Sequence, residues 1–398
     1  MANYFKHIKR YLIGLFFFII ILLFLGFILW VRQDSKYLNL LIVNKTVPDI
    51  LRNEHKSLIW ILSHHKIRKS NNKHYSLSED YYGFYPVNLK EDNFEIRNIP
   101  FPKIIQLTDT YDMVYYVDTY GVYLDNQYNY TQHIQPATKL FGGLGNNDVW
   151  LMKEMKYLNK LILTEFSILE PPTEEKIRKE LSELLNISWK GWIGKYFEEL
   201  DINMENRLVP GWIVQYYENH NNHAWKYKGA GIVLIHESGN VVVLDRARYL
   251  MYEAPLIETD EIMAEFYDLP ESVPFSKWFD VVDKSDSMMT ISNFKMKVNQ
   301  KGDSLLQENG ISSEFPAVIK DMNKRFYYFA GDFSHSNIDQ VSSYFNGFAE
   351  INQLFRSEKK IDDRNFFWNY YLPLLETIVL DYYESVQQLK ENSPDYVE

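Results

Sequence analysis

Asp118, Glu165 and Asp332 each stand at the carboxyl end of a short apolar run that reads as a β-strand. Ligands of open α/β sheets bind in the crevice beyond such strand ends. Two carboxylates in one cleft are what glycoside hydrolysis requires, one as acid and the other as base or nucleophile. Glu165, Asp118 and Asp332 are therefore the candidate catalytic residues. The same acids also suit plain turns and helix caps. His335, in Gly331-Asp332-Phe333-Ser334-His335, lies close enough in the chain to join Asp332. A loop histidine is also commonly just solvated.

Aromatic residues are abundant, with 30 Tyr, 25 Phe and 9 Trp. Trp189, Trp192, Trp212 and Trp225 fall close together, joined by Tyr196, Tyr216, Tyr217 and Tyr227. Such side chains offer a flat apolar face with a polar tip, which suits sugar rings as well as buried cores. Trp192, Trp212 and His335 are the candidate ligand-binding residues, with an aromatic core as the alternative. Glu218-Asn219-His220-Asn221-Asn222-His223 holds an acid and two histidines. Its spacing departs from H-E-x-x-H and its asparagines indicate a loop, so no metal is expected there. Gly142-Gly143-Leu144-Gly145 precedes a helix and could receive an anion. It lacks the spacing of the nucleotide-binding glycine motifs and reads as a turn. No cofactor is implied.

The elements that must position these residues come next. The first ten residues carry Lys6, Lys9 and Arg10, and then Tyr11 to Val31 run without a charge. A helix of that length spans about 30 Å, the thickness of a hydrocarbon core. A cleaved signal peptide would have a shorter apolar core and a small-residue exit. Tyr11 and Trp30 sit where interface anchors do. The flanking charge bias favours a cytoplasmic tail at 1–10, a membrane helix at 11–31 and an extracytoplasmic domain at 32–398.

The formal net charge of −11 disfavours nucleic acid as a partner. The chain contains no cysteine, which excludes disulfides, thiolate metal sites and a cysteine nucleophile.

Within the exterior part, 37–44, 112–118 and 161–166 read as buried strands, with helical patterns after Pro48, over 148–159 and after Pro172. Asn147 and Thr173 are the expected helix caps. Alternating strands and helices argue for an α/β fold with a mostly parallel sheet. Residues 69–100 are polar and read as a long excursion or lid. The second half, about 229–335, is β-rich, with a hairpin across Glu237-Ser238-Gly239 and strands near 278–282, 294–298, 315–319 and 325–332. Helices close the chain over 336–392.

This order of pieces resembles the class I glutamine amidotransferase-like fold, a flavodoxin-like sheet. The carriers are the strand at 38–44, the strand ending at Asp118 followed by Phe141-Gly142-Gly143-Leu144 and a helix, and the strand 161–166. Phe315-Pro316-Ala317-Val318 and then Arg325 to Asp332 look like the closing hairpin of sugar-associated members of that superfamily. The resemblance implies a nucleophile turn after 161–166, where this chain places Ser167 without the glycines of an elbow. The amidotransferase reaction needs a cysteine nucleophile, which is absent. The resemblance therefore implies a scaffold of carbohydrate-related proteins without that activity. The leading expectation is a membrane-anchored cell-envelope protein that binds or handles a surface polysaccharide. The alternatives are a glycoside-cleaving enzyme using paired carboxylates and a structural subunit meeting an envelope protein partner.

Overall fold

The computed structural model describes residues 2–88, 93–123, 139–354 and 361–391. It opens with one long helix, α1, Ala2–Arg32. Its stretch Tyr11–Arg32 has a mean hydropathy of 3.2 and is long and apolar enough to cross a bilayer. Most of that stretch faces outward, with no protein against it.

The rest of the described residues form a mixed α/β body with two large sheets and two short two-stranded ones, Lys36–Tyr37 with Ile67–Arg68 and Val122–Tyr123 with Lys139–Phe141. The strands of the large sheets, in chain order, are β1 Leu40–Asn44, β2 Tyr82–Asn88, β3 Asn93–Arg97, β4 Met113–Asp118, β5 Leu161–Glu165 and β6 Ile187–Phe197. They continue with β7 Gly231–His236, β8 Val241–Asp245, β9 Leu256–Thr259, β10 Ser272–Pro274 and β11 Phe279–Lys284. The last are β12 Met288–Lys295, β13 Glu314–Asp321 and β14 Phe326–Phe329. Ten of these form the main sheet in the order β10-β9-β12-β13-β14-β5-β4-β1-β2-β3. Strands β2, β1, β4, β5 and β14 run parallel to one another. Numbered along the chain, those five stand in the order 2-1-3-4-5. The other half is antiparallel, joined by hairpins, so the sheet is mixed and not mostly parallel. A second sheet, β8-β7-β6-β11, is antiparallel and bridges to the first at Phe279–Gly331.

Helices cover both faces of the parallel half, as buried parallel strands require. Successive strand residues point to opposite faces. Tyr115 of β4 meets Tyr371 of the C-terminal helical segment, whereas Tyr116 reaches the helix Asn146–Tyr157 at Asp148 O. β1, β4 and β5 are wholly buried, which explains their unbroken apolar sequences.

The polar stretch 69–100 contributes to the main sheet. It supplies β2 and β3 at the sheet edge, with residues 89–92 outside the described ones. Tyrosines replace aliphatic residues here, and Tyr81 and Tyr85 stack at 4.0 Å. Gly83 allows β2 to close on β1, since its φ is +142° and a Cβ would lie 1.6 Å from Asn44 O. Two expected caps also move. Gly145 caps the helix Asn146–Tyr157, with the Asp148 carboxylate accepting its N–H, so the helix starts before Asn147. The helix after Pro172 begins at Glu175. Thr173 instead accepts the Leu144 N–H through Oγ1.

Candidate functional site

β4, β5 and β14 are neighbours, so their carboxyl ends align at one edge. Asp118 ends β4, Glu165 ends β5, and Asp332 follows β14. The structure brings all three together: the Asp332 charge acts on both Asp118 and Glu165. Three further acids join them. Glu54 comes from the first turn of the helix Asn53–His64, Glu170 from the loop after β5, and Asp280 from β11. All six are buried.

Burial is the largest influence on five of the six. It pushes Glu165 up to about 8, and Asp118 and Asp280 up to about 7. Glu54 and Glu170 also rise well above the usual carboxylate range. Repulsion between the acids adds to the rise, because a second charge in a low-dielectric site disfavours the first.

Hydrogen bonds occupy the members of this cluster. Glu165 accepts from the Tyr115 hydroxyl, from Phe333 N–H at 2.9 Å and from Ser334 N–H at 3.2 Å. Tyr115 in turn contacts the Tyr371 hydroxyl at 2.9 Å. Asp118 accepts from Thr46 Oγ1 at 2.7 Å, Tyr120 N–H at 2.9 Å and Ser167 Oγ at 3.3 Å. Asp280 accepts from the Tyr328 hydroxyl, while its Oδ1 and Glu54 Oε2 have no partner among the described residues. Neither of two cavities, of about 440 and 430 Å³, is lined by Asp118, Glu165 or Asp332. Largely enclosed and already engaged, Glu165 and Asp118 hold turns in place.

Beside the cluster, the buried Asp332 meets the partly exposed His335. His335 Nδ1 lies 3.6 Å from Asp332 Oδ2, and 40% of its side chain is exposed. The surrounding protein lowers the His335 pKa; Asp332 opposes that shift and Lys277 adds to it. Lys277 Nζ donates to His335 O. Lys195 of β6 approaches the same group, its pKa lowered by burial against the pull of Asp332 and Asp363. Its Nζ sits 5.2 Å from the Trp278 ring centroid. Trp278 O accepts the Asp332 N–H at 3.0 Å. The Trp278 ring lies nearly parallel to that of Trp212, with centroids 6.4 Å apart. His335, Lys195, Trp278 and Trp212 thus form a partly exposed rim beside the buried Asp332 and Lys277.

Trp192 is not part of this rim. Along β6 it alternates with Ile193 and Lys195, so it points to the opposite face. There it joins the main core and packs on His236, with ring centroids 4.8 Å apart. Trp212 packs with the smaller core of the second sheet. Sequence reasoning missed Lys195, Lys277, Trp278, Glu54, Glu170 and Asp280. A charged residue at an inward register of an apolar strand, such as Asp280 in Phe279-Asp280-Val281-Val282, was the available signal.

Ser167 does sit on a sharp strand exit, with φ at +71° and no exposure. Its Oγ accepts the Thr119 N–H at 3.0 Å, and no histidine is among its partners. His220 and His223 are exposed, and among the described residues no three His, Asp or Glu side chains are placed so that they could hold a metal ion. Gly142 to Gly145 line the 430 Å³ cavity with Lys45, Arg97 and Lys139. Lys45 is bound there to Asp148 at 2.8 Å and Gly143 O at 2.9 Å.

No protein-family model and no curated protein matches the chain. Among solved structures it is similar to a glutamine amidotransferase from Thermotoga maritima, at 10% identity and a TM-score of 0.36. That match covers 87% of this chain and 98% of the other. It is also similar to a protein described as ThuA-like from Bacteroides uniformis, at 8% identity and a TM-score of 0.35, covering 78% and 89% respectively.

Proposed function

We propose that this chain is a membrane-anchored, extracytoplasmic binding protein whose ligand is a surface polysaccharide, built on a flavodoxin-like, amidotransferase-like scaffold without amidotransferase activity. The parallel order 2-1-3-4-5 supports the scaffold reading. A buried Ser167 without a histidine partner, in a chain without cysteine, supports the absence of amide hydrolysis.

One observation carries the choice of binding over cleavage. The acids converge, yet all of them are buried, and Glu165 is wholly enclosed and hydrogen-bonded. A glycosidase needs two carboxyls facing one sugar ring. The rim offers what a sugar binder uses: flat faces from Trp278 and Trp212, a lysine ammonium, and the Asp332–His335 pair as acceptor and donor.

The test is titration calorimetry of the full chain in nanodiscs with fragments of cell-envelope polysaccharide. Binding weakened about tenfold by Trp212→Ala or Lys195→Met, about 1.4 kcal/mol, is the expected result. Wild-type chain that binds no fragment, or binding indifferent to both substitutions, overturns the reading.

A further inference from the structure

The last turns of α1 are packed into the body. Gly26 lies directly against the backbone at Asn346, where a Cβ would come within 2.7 Å of Asn346 O. The Asn346 N–H donates to Gly26 O at 3.2 Å. Phe27 meets Phe345 at 6.1 Å between ring centroids, and Trp30 meets Tyr344 edge-on at 4.9 Å. Trp30 Nε1 donates to Ser63 O at 3.1 Å. Lys66 Nζ donates to Val31 O and Gln33 O, both at 2.7 Å, and lies over the Trp30 ring. The helix end is thus fixed to the body at several points.

That docking sets a depth. Gly26 precedes Arg32 by six residues, which is about 9 Å along a helix axis. With Arg32 at the polar end of the span, whatever packs on Gly26 and Phe27 lies on its apolar side. The packing element is the 3₁₀ turn Gln340–Tyr344 with Phe345 and Asn346. The exposed Asp339 caps the turn, and after it the apolar residue faces outward and the serines inward. Ser342 and Ser343 are buried, bonded to Trp60 Nε1, Asp339 O and Gln340 O. Val341 is 60% exposed. Residues i and i+3 of a 3₁₀ helix eclipse one another, so Val341 lies on the same side as Tyr344, toward α1. Its inserted backbone N–H at Asn346 is satisfied by the helix carbonyl, as a lipid environment demands.

We propose that the turn 340–346 dips into the headgroup boundary beside α1, so that the partner of this surface is the bilayer itself. The inference rests on the membrane-anchored reading above. It makes the anchor a rigid mount that fixes the orientation of the body on the membrane.

The chain has no cysteine, so single cysteines can be labelled cleanly. Val341→Cys, Phe18→Cys in the middle of α1, and Tyr157→Cys, 85% exposed on the body, would each carry an environment-sensitive fluorophore. The full chain in nanodiscs is then exposed to a lipid-borne quencher and to aqueous iodide. The Val341 label should be blue-shifted and quenched by the lipid-borne agent at least about twofold more than the Tyr157 label, as interfacial insertion requires. A Val341 label that matches Tyr157, while the Phe18 label reports lipid, overturns the inference and leaves the anchor standing. A Phe18 label in water overturns both. A Val341 label shielded equally in detergent and unreached by lipid quencher indicates a second copy over the patch, which also overturns it.

Discussion

Replacing Glu165 by Gln removes a titratable group from the centre of the acid cluster with almost no change of shape. The amide oxygen still accepts from Phe333 and Ser334 N–H, and the Tyr115 hydroxyl can turn to accept from the amide. The effect on stability depends on pH. Below 4.5, the ordinary value, the carboxyl is protonated in both the folded and the unfolded chain. Between 4.5 and about 8 the unfolded chain ionises Glu165 while the folded chain keeps it neutral. Folding then binds a proton, and each pH step lowers stability by about 1.4 kcal/mol. Above about 8 the loss is complete, on the order of 5 kcal/mol across the whole interval. Glu165→Gln should therefore match the wild type within about 1 kcal/mol near pH 4. It should exceed it increasingly up to about pH 8 and by a constant margin above that. Urea unfolding of the full chain in detergent, followed by tryptophan fluorescence at pH 4.5, 6, 7.5 and 9, measures this directly. A constant difference between variant and wild type across that range would refute the buried, neutral Glu165.

Two other substitutions probe different parts of the fold. Gly83→Ala forces a Cβ into Asn44 O at a positive φ, and should destabilise the sheet edge by about 3 kcal/mol or more, read as a lower urea midpoint. Lys45→Met strands the buried Asp148 carboxylate and should cost about 3–5 kcal/mol at pH 7. The same unfolding assay reads that loss. A Lys45→Met chain as stable as wild type at pH 7 would mean that the ion pair contributes nothing.

The parallel core was legible because its strands are buried on both faces. Leu40–Asn44, Met113–Asp118 and Leu161–Glu165 carry unbroken apolar runs that need no partner to be recognised. β2 and β3 were not legible, since Tyr81, Tyr82 and Tyr85 do the packing within a segment of polar composition. The acids at strand ends were found for a sound reason, the alignment of carboxyl ends in a parallel sheet. Their enclosure was invisible, because Tyr115, Tyr371, Phe333 and Ser334 arrive from three separate stretches of chain.

The candidate ligand residues divide in the same way. Trp212 reaches the rim and Trp192 does not, although they lie 20 positions apart in one aromatic-rich stretch. Which face of β6 looks outward depends on its pairing with β7 and β11, and that pairing is not a local property.

The sequence by itself determined the apolar segment at 11–31, the lack of any thiol chemistry, and the strand ends where Asp118, Glu165 and Asp332 stand. Those are properties of composition and of neighbours along the chain. Only the tertiary structure decided that the acids share one buried cluster, that Lys195 and Trp278 form its rim, and that Trp30 seats α1 on the body. Charges, registers and depths of this kind arise between segments brought together by folding, so no window of sequence contains them.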